Sequence, residues 1–473
     1  MKRVVTLASF CSLFLTSFLL FTPSASGKYE QTQPEIQSPR LIRLAQEIAT
    51  VGQEAANRFR NEVQQHGTPL IEPIPEDQKH LWVTFLWFAK EPVQNVVVFS
   101  GLTNNAYTRA VLPDIQMTRL AGTDIWFKTF KVRNDARFTY QFSVNDSLIP
   151  EEDESDDNAR RAKLRADPLN PHHAQDATSN TPAGPDAESL VALPGAPPQL
   201  WLRKTSNPAG ELKRYDFRSE VLKNERTVTV YSPPGYEPKL RPYPLLVIFD
   251  GEAYTDAIPT PTILDNLIAA RKIPAVVAVF VNNPQTNQPD LRTSELSCNS
   301  SFTRFVVEEL LPWVRQRYRV TTRPANTTVG GASRGGLAAA CAALDHPEVF
   351  GNVFAQSGFF VYKDKNWFKR VGHDVAPDNV AQEEKAWDEY GTVISEFVRR
   401  LRRAIRFYLE AGIFENTYHP SVLIANRHLR DVLLAKGYRI RYEEFAGHHS
   451  TVNFRGSLAT ALMFVLGESH GRP

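Results

Sequence analysis

The chain is poor in sulfur and carries no excess of either charge. Its 473 residues include three cysteines and three methionines, and 54 Lys and Arg nearly balance 52 Asp and Glu, for a net charge of +2. The basic residues are not gathered into a block, so neither nucleic acid nor an anionic membrane surface is expected as a partner. No Cys/His cluster has zinc spacing and the pair His172-His173 stands without further ligands, so no metal or organic cofactor is expected. Long apolar runs are also missing, apart from one at the N-terminus. Met1-Lys2-Arg3 precedes the apolar stretch Val4 to Phe21, and Pro23-Ser24-Ala25-Ser26-Gly27 supplies small residues, which reads as a signal peptide over 1–26 cleaved near Ser26. The domains are therefore expected to be exported, to the periplasm or beyond, with no membrane attachment after cleavage. Retention of the run as an anchor helix is the alternative. Only Cys298 and Cys341 then remain; export makes a disulfide between them chemically permissible, but two cysteines are no framework, and Cys341 lies in a small-residue helix where a buried free thiol is the commoner outcome.

What is present is ample material for a core: 42% of residues are hydrophobic and 11% aromatic, and the length suggests two or three domains. Leu41, Leu44, Ile48, Val51, Ala55, Phe59 and Val63 recur near helical period and predict a leading amphipathic helix over 38–66. From 75 to 150 the pattern alternates, as in Leu81, Val83, Phe85 and Trp87 or Phe138, Tyr140 and Phe142, which predicts a small β-sandwich. Residues 151–200 turn acidic and then rich in Pro, Ala, Asn and Asp, and read as a linker. Over 210–470 strands and helices alternate, among them Leu245 to Phe249, Thr327 to Gly331, a helix Gly335 to Leu344, Arg406 to Gly412 and Arg439 to Phe445. That order predicts an α/β domain with a mainly parallel sheet covered on both faces.

Gly331-Ala332-Ser333-Arg334-Gly335 joins a β-branched run to an alanine-rich helix. A sharp strand-to-helix turn of this kind lifts a serine hydroxyl above the sheet, which predicts the α/β-hydrolase fold and makes Ser333 the candidate nucleophile. A neutral hydroxyl needs a base, and the partners of this fold follow in the order serine, acid, histidine. The last predicted strand ends in Ala446-Gly447-His448-His449-Ser450, which offers His448 and His449 as bases. The strand before it ends in Ile413-Phe414-Glu415, which offers Glu415 as the acid that orients the imidazole. Leu245 to Phe249 leads into Asp250-Gly251-Glu252, so the backbone N–H groups of Glu252 and Arg334 are the expected oxyanion donors.

These residues with their neighbours resemble the enterochelin esterase family, within the esterase-D group that includes feruloyl esterases and mycolyltransferases. The likeness rests on Phe249-Asp250-Gly251-Glu252, on Arg292 with Ser294-Glu295-Leu296-Ser297-Cys298-Asn299, on Glu308 to Pro312, on the serine turn, on Gln356-Ser357-Gly358 and on Leu409 to Glu415. Upstream it extends to Arg119 to Trp126 and Ala166 to Asn170, so it covers nearly the whole mature chain. The family's catalytic histidine stands six residues before an Arg-Gly pair. Counting back from Arg455-Gly456 selects His449, with His448 in a glycine's place and Ser450 in an aspartate's. The resemblance implies hydrolysis of esters in a ferric catecholate siderophore such as enterobactin, contributing to iron release, with Arg292, Glu295 and Asn299 as substrate contacts. Arg334 stands where an aromatic residue is common and adds positive charge for an anionic complex. Alternatives are a feruloyl, acetyl-sugar or peptide-ester hydrolase, or a non-catalytic periplasmic siderophore-binding protein, which would not need the serine, acid and histidine together.

Overall fold

The computed structural model describes residues 36–155, 157–177, 184–239, 241–284, 291–363, 391–417 and 421–467, so the signal peptide read over 1–26 lies outside the described residues. No helix among the described residues is long and apolar enough to cross a membrane. The expected leading helix is two helices, Pro39–Val51 and Gln53–His66. Gly52 lies between them at φ 63°, a left-handed conformation that glycine adopts readily and that ends the first helix. Their apolar faces, including Leu44, Phe59 and Val63, pack on Leu86, Ile125 and Phe127.

Strands β1 (Leu70–Ile74), β2 (Asp77–Phe88), β3 (Val96–Ser100), β4 (Thr118–Arg119), β5 (Ile125–Arg133), β6 (Arg137–Val144) and β7 (Ser189–Ala192) form two antiparallel sheets. Their orders are β1-β2-β5-β4 and β3-β6-β7. Alternation decides which side chains meet. Val83 and Phe85 of β2 face Val96, Val98, Phe138, Tyr140 and Phe142 of the second sheet in one core, while Leu86 turns outward to the two leading helices. Strand β7 corrects the reading of 151–200 as a linker: that segment completes the second sheet, pairing Tyr140 with Ser189 and Phe138 with Val191. It lacks apolar residues for a core of its own, but it borrows the sandwich's. Asp167 is buried there, accepting hydrogen bonds from the Tyr140 hydroxyl at 2.6 Å and the Leu169 N–H at 2.9 Å, and burial raises its pKa.

The second domain holds strands β8 (Glu211–Ser219), β9 (Asn224–Ser232), β10 (Leu245–Phe249), β11 (Val277–Val281), β12 (Thr327–Ala332), β13 (Asn352–Gln356), β14 (Arg406–Gly412) and β15 (Arg439–Phe445). They make one sheet in the order β15-β14-β13-β12-β10-β11-β9-β8, parallel from β15 to β11, with β9 and β8 antiparallel at one edge. This is the α/β-hydrolase architecture. Strands β10 and β11 are apolar without interruption because both faces are covered: in β10, Leu245, Val247 and Phe249 enter one core, Leu246 and Ile248 the other. The parallel run brings the turns after β10, β12, β13, β14 and β15 to one edge of the sheet, where open α/β folds bind ligands.

The free thiol expected at Cys341 is corrected as well. Cys298 and Cys341 form a disulfide that joins the loop before the helix Ser300–Arg304 to the helix Arg334–Asp345, with Cα atoms 5.4 Å apart. A separation of 43 residues along the chain carries no sign of that proximity.

Candidate active site

Ser333 follows β12 at φ 55°, ψ −122° and is the N-cap of the helix Arg334–Asp345. A left-handed φ on a residue with a side chain stores strain of order 1–3 kcal/mol, which the surroundings must hold in place. Here they do so by close approach. A Cβ at Gly331 would come within 3.0 Å of Gly335, so the strand can meet the helix this tightly only without side chains. The backbone on either side is pinned to the turn after β13: Ser333 N–H donates to Gln356 O at 2.9 Å, and Phe359 N–H donates to Ser333 O at 2.9 Å.

Glu415 follows β14 and its side chain is fully buried. It could not remain there as a carboxylate without partners, and it has three. His449 Nδ1 lies 2.8 Å from Oε2, while Gly412 N–H and the Ser357 hydroxyl donate to Oε1 at 2.8 and 2.5 Å. Gly412 is needed for this loop, because a Cβ there would lie 2.4 Å from Gly447 O and 2.8 Å from Glu415 Oε1. The imidazole of His449 is about one-third exposed and meets the Phe454 ring edge to face at 5.4 Å. With Nδ1 held by a carboxylate, Nε2 is left to take a proton. No hydrogen bond joins Ser333 and His449 among the described residues, although β12, β13, β14 and β15 set their turns side by side. Such an arrangement can deprotonate a hydroxyl and stabilise the imidazolium that results. Its neighbour His448 has no such outlook: it is buried, and burial, followed by the nearness of His449, lowers its pKa to about 3.

Arg334 and Glu252 sit in the first turns of the helices Arg334–Asp345 and Gly251–Thr255, where backbone N–H groups lack intrahelical partners. The two turns touch, since a Cβ at Gly335 would lie 3.0 Å from Asp250 Oδ2. The Arg334 guanidinium lies 4.4 Å above the Phe359 ring and donates to Ser297 Oγ at 2.7 Å, with no carboxylate ion pair among the described residues.

The expected substrate contacts fare differently. Arg292 is half-exposed and held by Asp250 through two hydrogen bonds of 2.6 and 2.8 Å, so its charge is matched. Glu295 is corrected to a structural residue: it is buried, and its Oε1 accepts from Arg226 at 2.7 Å and Asn224 at 2.8 Å. Asn299 is partly exposed and also serves the local fold. Its Oδ1 caps the helix Ser300–Arg304 by accepting from Ser301 and Phe302 N–H, and its Nδ2 donates to Ser294 O. Ser357 makes a contact to Glu415 that no sequence pattern assigned to it. Its presence in Gln356-Ser357-Gly358 after a predicted strand was the one available sign.

Comparison with known proteins agrees with this architecture. Residues 219–465 match the esterase family and residues 82–202 the N-terminal domain of enterochelin esterases. The chain is 26% identical over 463 residues to the iron(III) enterobactin esterase of Dickeya dadantii, across 92% of this chain and 97% of that one. It is 31% identical over 357 residues to an iron(III) enterobactin esterase of Escherichia coli, across 73% and 80%. The solved ferric enterobactin esterase of Salmonella typhimurium aligns with a TM-score of 0.64 at 27% identity, across 85% of this chain and 98% of that one. For the enterobactin esterase of Shigella flexneri, solved in the presence of enterobactin, the values are 0.62, 26%, 85% and 96%. Sandwich and catalytic-domain fold are matched together, and the chain belongs to the enterochelin esterase family.

Proposed function

We propose that the protein is an exported serine esterase that opens ester bonds of a catecholate siderophore through an acyl-enzyme. The observation that carries this is the buried Glu415 carboxylate 2.8 Å from His449 Nδ1, at the sheet edge where Ser333 stands on its left-handed turn. Ser333 Oγ attacks the ester carbonyl while His449 Nε2 takes its proton. Glu415 steadies the imidazolium, and the N–H groups of Glu252 and Arg334 receive the oxyanion. His449 returns the proton to the departing alkoxide, and water repeats the sequence to free the acid. The ferric ion belongs to the substrate. Tris-catecholate complexes are anionic, and the Arg334 guanidinium beside the nucleophile suits them. The relatives' enterobactin esterase activity supports the same substrate class, and a disulfide fits an oxidising compartment outside the cytoplasm.

The test is a panel of ferric and iron-free trilactone siderophores beside feruloyl and acetyl esters, read by mass spectrometry with parent and Ser333→Ala protein. Linear products from the trilactones, absent with Ser333→Ala, are expected. Faster turnover of feruloyl or acetyl esters than of every catecholate would remove the siderophore reading and leave the hydrolase. Export is tested on periplasmic or secreted material, whose mass should begin near Gly27.

A further inference from the structure

The β-sandwich reaches into the loops that hold the acid and the base. Arg137 N–H, at the start of β6, donates to Ala446 O at 2.9 Å, and Ala446 is buried in the sandwich core, against which Ile413 and Phe414 also pack. Beyond β3 the chain turns through Gly101 to Asn105, closed by hydrogen bonds of 3.0 Å from Asn104 N–H to Gly101 O and from Asn105 N–H to Ser100 O. Asn104 lies at φ 53°, a left-handed conformation that asparagine adopts more readily than most residues. This turn directs Asn104 Oδ1 to the backbone of the other domain, where it accepts a hydrogen bond from His449 N–H at 3.2 Å.

The adjacent residue is gripped as well. His448 is 1% exposed, with Nε2 3.3 Å from the Thr139 hydroxyl of β6 and its carbonyl accepting from Asn453 Nδ2 at 3.0 Å. Its ring fills the hollow left by Gly101, where a Cβ would lie 2.3 Å from Nδ1. Burial keeps this ring neutral, so no second cation forms beside His449 when the latter takes a proton.

We propose that the sandwich is a working part of the esterase site, with Asn104 a positioning residue that fixes the peptide plane of His449 and the Gly101–His448 fit setting the height of that loop. The inference rests on the reading of His449 as the base. A backbone N–H anchored at one end and a carboxylate bound to Nδ1 at the other leave the imidazole one orientation toward Ser333. Loosening the first anchor therefore misaims the base without emptying the substrate site, and turnover suffers more than binding.

The test uses the full chain and 4-nitrophenyl acetate, with melting temperature recorded for each variant. Asn104→Ala is expected to lower kcat about tenfold, the scale of one lost hydrogen bond, with KM within about twofold of the parent. Asn104→Asp retains an oxygen acceptor and tolerance of the left-handed turn, and should recover most of that loss. Gly101→Ala should lower kcat by at least about tenfold by pushing on the His448 ring, and Gly101→Ala/His448→Gly should bring kcat back to that of His448→Gly alone, a non-additivity expected of touching residues. The inference is overturned if Asn104→Ala keeps kcat within about twofold, if Asp rescues nothing, or if Gly101→Ala and His448→Gly act additively. A Gly101→Ala chain that does not fold leaves the Asn104 pair to decide. Ser333→Ala and His449→Ala separate the two levels. Full activity in both defeats the catalytic reading and this inference with it, whereas inactivity in both beside an unaffected Asn104→Ala defeats this inference alone.

Discussion

The Ser333 side of the site and the His449 side are held by different means. Ser333 stands on five contiguous residues whose glycines let a strand and a helix meet, and its backbone bonds go to the neighbouring turn of the same sheet. His449 hangs in a loop braced by a buried carboxylate from another strand end and by side chains of a different domain, more than three hundred residues away along the chain. The first kind of support is local and strained, the second remote and made of many small contacts. A nucleophile must be lifted to one place, whereas a base must be aimed, and aiming needs fixed points on several sides.

The largest expected effect tests whether the two sides act as one. Ser333→Ala and His449→Ala should each lower turnover by a factor on the order of 10⁶, and the double variant should be hardly worse than either. Independent losses that multiply would mean that the sides do not share a proton transfer. Glu415→Gln keeps the shape of the acid and removes its charge, so kcat should fall by roughly 10⁴. A loss no larger than tenfold would show that the His449 side is aimed by the sandwich alone.

On the Ser333 side, replacing both Cys298 and Cys341 by serine frees a link that closes 43 residues, and unfolding stability should drop by roughly 4 kcal/mol. Urea denaturation would measure this, and kcat at low temperature should stay near the parent's. A kinetic loss without a stability loss would place the disulfide among the aiming contacts. Ser357→Ala removes one of three partners of Glu415 and should lower kcat about tenfold, the scale of one hydrogen bond to a charged group.

The smallest effect is a pH dependence confined to the His449 side. His448 has a folded pKa of about 3 against an ordinary 6.5, so the unfolded chain binds its proton first. Its contribution to stability is full above 6.5 and is lost as pH falls toward 3. Glu410, buried on β14 among Ser457, Gln356 and Tyr408, is raised by that burial from 4.5 to about 7. Its contribution is full below 4.5 and is lost as pH rises through 7. Between 4.5 and 6.5 the two slopes oppose each other, and these two contributions should nearly cancel. In Glu410→Gln stability should rise more steeply with pH across that window than in the parent, as urea midpoints of both at pH 5 and 6 would report. A profile parallel to the parent's would mean that Glu410 does not oppose His448.

What could be read from the sequence follows the same division. The strands Leu245–Phe249, Arg406–Gly412 and Arg439–Phe445 have the bounds their patterns predict: burial on both sheet faces leaves few other readings of the first two, and Arg439–Phe445, half-exposed at the sheet's edge, sets Ile440 and Tyr442 between charged residues. The serine turn is likewise a local pattern, five residues long. Cys298 with Cys341, Glu295 with Arg226 and Tyr140 with Asp167 were not legible, since each pair meets only through tertiary packing. The segment 151–200 misled for a related reason: composition reports whether a stretch can fold alone, and this one completes a sheet that already exists. Gly52 divides the leading helix by backbone geometry that an apolar stripe does not register.

The fit of the His448 ring into the hollow at Gly101 gives substitutions at these positions a direction in time. While histidine occupies position 448, position 101 is closed to any side chain, and an alanine arising there first meets the ring at once. If glycine comes first at 448, position 101 is released and later change there can drift. A lineage can therefore pass between the two arrangements through one intermediate and not the other, and the domain boundary keeps a record of the order in which its two sides changed.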